Sequence, residues 1–192
     1  MTDREFRALD PEARSRSGRP QPGEYAAYAH SDIAAIPEDD AVAALRSSRE
    51  QVVALIAPLT DTRVAGVRYA PGKWTIKDIL GHLSDDERIY AYRALRLART
   101  DDRVLAGFDQ IRYADAAGSE ARALAALLEE YRSVRAASIT LFAGLGPEAW
   151  ARRGTLEGHD VTVRGLAFHI VGHEMHHLRV LRDRYLPLVS PA

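Results

Sequence analysis

Four amphipathic segments with helical periodicity dominate this chain and limit the folds that it can adopt. Apolar residues recur at intervals of three and four, and strand signals are sparse. These patterns predict helices at 38–59, 76–100, 119–145 and 163–186. Helices of about 20 residues, each with one apolar face, bury those faces together in a four-helix bundle. The predicted fold class is therefore all-α, and the long loops between the helices leave crossover topologies open.

Local signals predict where the helices begin and end. Thr75 is a predicted N-cap because Asp78, three residues later, completes a capping-box pattern. Thr162 is a plausible cap for the last helix, and Pro187 is expected to stop it. Residues 160–163 alternate weakly between polar and apolar, and they could form a short extended piece.

Composition separates an N-terminal arm from the body of the chain. Residues 1–37 are rich in Pro, Gly, Arg and Ser, and we expect an irregular arm that is ordered in part if Tyr25 and Tyr28 pack on the body. Residues 38–192 are predicted to form the four-helix bundle as one domain of ordinary size.

Charge and composition exclude several classes of protein. The net charge of -1 argues against a general binder of nucleic acid or of anionic membranes. The absence of cysteine removes disulfides, thiolate metal sites and a cysteine nucleophile. The sequence contains neither a signal-peptide pattern nor an apolar run that could span a membrane. We therefore expect a cytoplasmic protein that acts on a small-molecule substrate and has no nucleic-acid or membrane partner.

The clearest chemical signal is a group of histidines in the last predicted helix. Four of the seven histidines lie within nine residues, and His169, His173 and His177 are spaced by four, so they share one side of the helix. Imidazole is a common metal ligand, and two histidines one turn apart can reach the same ion. Buried imidazoles also need hydrogen-bond partners, so clustering them without a purpose is unfavourable. The segment therefore predicts a metal site.

Helical phase distinguishes these histidines from one another. At about 100° per residue, the apolar arc of the helix lies nearest to His173 and His177, which are the predicted ligand pair. His169 lies further round and could orient the site from behind the ligands. His176 lies further still, and it is expected at a rim or in solvent.

A third ligand has to come from another helix, and the second predicted helix offers two candidates. His82 is the only histidine there and lies at the edge of the apolar stripe. Asp86, one turn later, lies closer to that stripe, so phase does not choose between the two.

The segment from His173 to His177 also matches the H-E-x-x-H signature of zinc proteases as written. In such enzymes the glutamate is the general base. Phase instead places Glu174 on the packed side of the helix, and this disfavours a protease.

Two stretches together resemble the DinB/YfiT-like superfamily of metal-binding four-helix bundles, which is not the DNA polymerase of the same name. They run from Trp74 to Arg88 and from His169 to Leu178, with weaker similarity across roughly residues 40–186. In that family, one histidine of the second helix and two of the fourth hold a divalent metal. The resemblance implies that the metal ligands here are His82, His173 and His177.

The resemblance also implies an unusual crossover topology, a homodimer, and a choice of functions. Some relatives transfer low-molecular-weight thiols such as bacillithiol, mycothiol or glutathione, and others isomerise maleylpyruvate with a thiol cofactor. The bound ion could be Zn, Ni, Mn or Fe, because all of them accept imidazole ligands. Such an ion can lower the pKa of a thiol and make thiolate available near neutral pH.

The leading hypothesis is therefore a metal-dependent thiol S-transferase that acts on small electrophiles. Predicted helpers are Asp86, as a base or as an acceptor behind the ligands, and Tyr90 or Arg93, as contacts to an anionic cofactor. Simple core packing is the alternative role for Tyr90. The alternative functions are a metal-dependent hydrolase, in which water attacks the substrate, and a non-enzymatic, stress-related dimeric bundle with a structural metal.

Overall fold

The computed structural model describes residues 17–100 and 104–189 of the 192-residue chain. Its four long helices are α1 (Ala41–Ile56), α2 (Ile76–Ala98), α3 (Leu124–Ala143) and α4 (Val163–Val180). Helices α1 and α2 each pack against both α3 and α4. Consecutive helices α1 and α2 therefore lie on one diagonal of the bundle, and α3 and α4 lie on the other. This arrangement confirms the predicted all-α bundle and explains its long connections.

Short helical turns occupy the connections and the flanks. They are the 3-10 turns Ala27–Ala29 and Ser119–Ala121, the α-helical turns His30–Ala34, Asp61–Val64, Gln110–Ala117, Pro147–Trp150 and Leu186–Val189, and the π-helical segment Leu181–Tyr185. The third long helix begins later than predicted because the chain first makes the 3-10 turn after a left-handed Gly118 (φ 61°).

A small sheet joins two of the connections at one end of the bundle. Its strands are β1 (Val104–Leu105), β2 (Arg153–Leu156) and β3 (His159–Thr162), with β1 parallel to β2 and β2 antiparallel to β3. The sequence predicted only an extended piece near β3. Strands of two to four residues are too short to show a period, and the β1–β2 pairing joins distant segments.

The ends of the helices near the histidines follow local rules. Thr75 Oγ1 accepts from the backbone nitrogen of Asp78 at 3.1 Å, and Asp78 Oδ2 accepts from that of Thr75 at 3.0 Å, which confirms the capping box. Thr162 Oγ1 accepts from Gly165 at 3.0 Å, so the second cap is also confirmed. Pro187 does not stop the helical path, which continues from the π-helical segment Leu181–Tyr185 into the turn Leu186–Val189.

A buried ionic network connects all four helices at the centre of the bundle. Arg135 of α3 donates from Nε to Glu87 of α2 at 2.9 Å and from Nη2 to Glu174 of α4 at 2.7 Å. Its Nη1 donates to Ser48 of α1 at 2.7 Å. The Tyr131 hydroxyl donates to Glu174 at 2.8 Å. Because these bonds have fixed directions, they define how each helix is rotated about its axis.

The described part of the N-terminal arm lies along α4. The backbone nitrogen of Thr162 donates to the carbonyl of Glu24 at 3.0 Å, and a side chain on Gly165 would overlap that backbone. Gly172, two turns later, faces the backbone of Asp32, which a Cβ would approach to 3.1 Å. Residues 1–16 of the predicted arm lie outside the described residues, and the domain boundary at residue 37 stays a prediction.

The side chains of the arm pack on the body to different degrees. Tyr25 is buried, whereas Tyr28 is 64% exposed and contacts the body through His159, His169 and Tyr90. Within residues 17–100 and 104–189, no helix has both the length and the apolar character needed to cross a membrane.

Candidate metal centre

Three histidines from two helices converge beside a cavity, which two of them, His173 and His177, line. The Nε2 atom of His173 lies 3.1 Å from Nε2 of His82 and 3.1 Å from Nε2 of His177. The possible ligand atoms of the three residues all lie within 4.8 Å of one another. The structure thus brings together the three residues that the resemblance implied.

The spacing of these nitrogens fits one divalent ion. Nitrogens bound tetrahedrally at about 2.1 Å from a metal lie about 3.4 Å apart, so the triad needs only a small adjustment. No carboxylate joins the three imidazoles in this group within the described residues. The triad can therefore supply three ligands to an ion, beside a cavity that His173 and His177 line.

Asp86 lies behind the triad rather than in it. Its Oδ2 is 3.2 Å from Nδ1 of His173, and only 4% of the residue is exposed. Burial opposes its charge, but His173 holds the pKa of Asp86 below its usual value, so the carboxylate is ionised. A carboxylate that accepts from Nδ1 leaves the Nε2 lone pair of His173 directed at the other two imidazoles.

Burial separates the protonation states of the three imidazoles. Together with the neighbouring charge of His173, it lowers the pKa of His82 to about 4 and that of His177 to about 2. Burial also opposes the charge on His173, yet the Asp86 carboxylate raises the pKa of His173 above its usual value. At neutral pH, His82 and His177 are neutral and able to bind a metal, whereas a proton would compete with the metal for His173.

His169 and Tyr90 form the wall beside the triad. The His169 ring stacks on that of Tyr90 at 3.9 Å and lies parallel to that of His173 at 5.9 Å. His169 is therefore next to the ligand group and outside it. Burial raises the pKa of Tyr90 well above its usual value, so its hydroxyl stays protonated. Tyr90 both packs in the core and lines the cavity.

Arg93 lies further along α2 and also lines the cavity. Its Nη2 donates to the carbonyl of Ala106 at 2.6 Å. The guanidinium carbon lies 4.7 Å from the centre of the Tyr90 ring and 5.5 Å from that of Phe108. All three predicted helpers, Asp86, Tyr90 and Arg93, therefore line the same cavity as His173 and His177.

The cavity has a volume of about 500 Å³, and it includes walls that the sequence did not predict. Trp74, which precedes α2, lies over His82 with a ring separation of 4.7 Å. Tyr28 and Asp32 come from the N-terminal arm, and Asp32 lies 3.7 Å from His176 at the rim. The Trp-to-His motif was the available signal for Trp74, but no local signal links the arm to α4.

The side chain of Glu174 points away from this cavity. It is 1% exposed and bonds to Arg135 and Tyr131 inside the bundle. Glu174 is therefore unable to act as the general base of an H-E-x-x-H protease, in agreement with its helical phase.

Comparisons with known proteins support the fold and the family. A sequence model of the DinB superfamily matches residues 44–181. Among solved structures, YfiT from Bacillus subtilis matches with a TM-score of 0.67 and 15% identity, covering 88% of this chain and 94% of that chain. YfiT is described as a probable metal-dependent hydrolase with an unusual four-helix bundle topology. At this identity the likeness shows the fold alone, and no curated protein sequence matches the chain.

Proposed function

The chain belongs to the DinB superfamily, and from this premise we propose that it is a divalent-metal enzyme that transfers a low-molecular-weight thiol to small electrophiles. One observation carries the proposal: three imidazoles converge beside a cavity of about 500 Å³, and two of them line it. The proposed metal ligands are His82, His173 and His177. Zn, Ni, Mn and Fe all suit this donor set.

The number of protein ligands favours catalysis over a purely structural metal. Structural zinc sites have four protein ligands, whereas catalytic sites have three and keep a position open for substrate. Within the described residues the group contains three imidazoles, and the cavity gives access to two of them, His173 and His177. When bound, a divalent ion would supply positive charge that lowers the pKa of a thiol or a water molecule beside it.

The surrounding residues orient the ligands and the reactants. Asp86 is assigned a positioning role, because its Oδ2 already accepts from His173 Nδ1. Trp74 covers the imidazole of His82 and limits the approach of water from that side. The protonated hydroxyl of Tyr90 forms a hydrogen bond with Tyr28 of the arm, and the two side chains make a polar part of the cavity wall.

A metal-dependent hydrolase is the second candidate function. It is favoured by the fold that the chain shares with YfiT, a probable metal-dependent hydrolase. The two functions use the same ligands and differ in whether a thiol or water attacks the substrate.

Turnover with and without a thiol separates these functions. The protein is loaded with Zn, Ni, Mn or Fe in turn and mixed with 1-chloro-2,4-dinitrobenzene and a thiol. In the transfer, a sulfur–carbon bond forms, the carbon–chlorine bond breaks, chloride leaves and the thiol proton passes to solvent. We expect formation of the thioether to require the metal and to be lost in His173→Ala.

The matched control is His176→Ala, because His176 is a neighbouring histidine outside the ligand group, and this variant should remain active. Turnover of an activated ester without thiol would instead support the hydrolase. No turnover of either substrate, by a protein that still binds metal, would support the non-enzymatic bundle. We further propose a homodimer, for which light scattering would give twice the chain mass of 21.2 kDa.

A further inference from the structure

Arg93 carries a buried positive charge that has no anionic partner among residues 17–100 and 104–189. The residue is 4% exposed, and its one hydrogen bond among the described residues goes to the carbonyl of Ala106. A guanidinium has five N–H donors, and buried charged groups are normally paired with an opposite charge. No carboxylate of residues 17–100 or 104–189 forms an ion pair with Arg93, although this side chain lines the cavity.

The carboxylates of the cavity are engaged elsewhere or lie at its edge. Asp86 contacts His173, and Asp32 pairs with Arg179 at 3.4 Å and contacts His176. Glu157 is exposed, on the turn between β2 and β3. Among the groups that the structure describes, none neutralises Arg93 by an ion pair, so its positive charge is available to a bound molecule.

The position of Arg93 relates it directly to the proposed metal. His82, Asp86, Tyr90 and Arg93 follow one another at intervals of four, four and three residues, so they form one line along α2. The rise of a helix places Arg93 about 10 Å from Asp86 along the axis. The rings of His173, His169 and Tyr90 lie nearly parallel between the triad and Arg93, and the Arg93 guanidinium contacts the Tyr90 ring.

We propose that Arg93 binds a carboxylate group of the reactants, so that the cavity is a two-point site with a metal at one end and an anion site at the other. The planar guanidinium matches a carboxylate through two parallel hydrogen bonds. The carboxylate belongs either to the thiol or to the electrophile. The metal end of this site rests on the proposed function, whereas the anion end rests on Arg93 alone.

Linear thiols test the two-point site on the cobalt-loaded protein. Binding of sulfur to cobalt produces an absorption band, so affinity is measured without turnover. Thiols of increasing chain length are compared, each with a terminal carboxylate or a terminal hydroxyl. We expect the carboxylate to bind at least about tenfold more tightly at an intermediate length, since a charge-assisted bidentate contact is worth that much or more. This preference should disappear in Arg93→Met and be partly retained in Arg93→Lys.

The matched control is Arg88→Met, on the same helix. Arg88 is a half-exposed arginine that pairs with Asp85 and Glu130, and its replacement should leave the preference unchanged. A preference in the wild type that survives Arg93→Met would overturn the proposal.

A second measurement shows which reactant carries the carboxylate, and it does not depend on the metal. Linear carboxylates without a thiol are titrated into metal-free protein by calorimetry, and we expect binding that Arg93→Met removes. If the carboxylate titrations show this dependence but carboxylate-bearing thiols gain nothing over their hydroxyl analogues, the carboxylate belongs to the electrophile. Failure to bind cobalt would contradict the proposed function. The anion site would then be tested by calorimetry on the metal-free protein. Absence of Arg93-dependent binding in both measurements would overturn the anion site.

Discussion

Replacement of Arg135 by methionine tests whether the buried ionic network holds the bundle together. The Arg135 side chain is 0% exposed, and it bonds to Glu87, Glu174, Ser48 and the carbonyl of Leu45. Methionine fills much of the same space but leaves two carboxylates buried without a cation. Removing one partner of a buried ion pair typically destabilises a protein by about 3–5 kcal/mol, and we expect this loss in the free energy of unfolding at pH 7.

The loss in Arg135→Met should depend on pH. Burial raises the pKa of Glu87 above its usual 4.5, although Arg135 opposes this rise. Without Arg135 the pKa of Glu87 in the folded protein rises further. At any pH between the pKa of Glu87 in the unfolded chain and its pKa in the folded protein, the folded protein therefore binds more protons than the unfolded chain. Stability then falls as pH rises through this window. The free energy of unfolding of the variant should therefore fall further below that of the wild type at pH 7 than at pH 5.

Urea unfolding followed by circular dichroism measures both effects. We expect the midpoint to fall while the slope stays unchanged, since the surface exposed on unfolding is nearly the same. The control is Arg132→Met, which removes a pair with Glu129 whose side chains are 41% and 69% exposed and should change stability by no more than about 0.5 kcal/mol. A loss below about 1 kcal/mol for Arg135→Met, or one that is independent of pH, would refute the reasoning.

Three further predictions concern the proposed metal site and the arm beside it. Asp86→Asn should weaken metal binding by about 10–100-fold in a chelator competition, because it removes the carboxylate that orients His173; an unchanged affinity would assign Asp86 no positioning role. The wild-type affinity should rise with pH, by up to about tenfold per unit below the raised pKa of His173, because metal displaces its proton. The same competition repeated across pH measures this, and a flat profile would contradict it. Gly172→Ala should lower stability by about 1–3 kcal/mol, since its Cβ would lie 3.1 Å from the backbone of Asp32. Gly146→Ala is the control, because a Cβ there meets nothing within 4 Å, and equal losses in thermal unfolding of the two variants would contradict close packing of the arm.

Local features made much of the fold predictable from the sequence. The second and fourth helices begin at Ile76 and Val163, as predicted, because Thr75 and Thr162 cap them with side-chain hydrogen bonds. Helical phase also placed Glu174 on the packed side of α4 without knowledge of its partners. The small sheet was missed because its strands are short and their pairing is set by contacts between distant segments.

The candidate site was less accessible to sequence reasoning. Phase indicated His173 and His177 but did not choose between His82 and Asp86, which lie one turn apart on α2. The rotation of α2 relative to α4 brings the His82 imidazole close to both His173 and His177, whereas Asp86 contacts His173 from behind, at Nδ1. Tyr28 enters the cavity wall through contacts between the arm and α4, which no local pattern encodes.

The metal content of protein purified without a nickel column tests the central claim most directly. The wild type and His173→Ala are compared by elemental analysis. We expect about one divalent metal ion per wild-type chain and its loss in the variant, because His173 is the central member of the triad. A wild type without metal, which also takes up none from added Zn, Ni, Mn or Fe, would contradict the account.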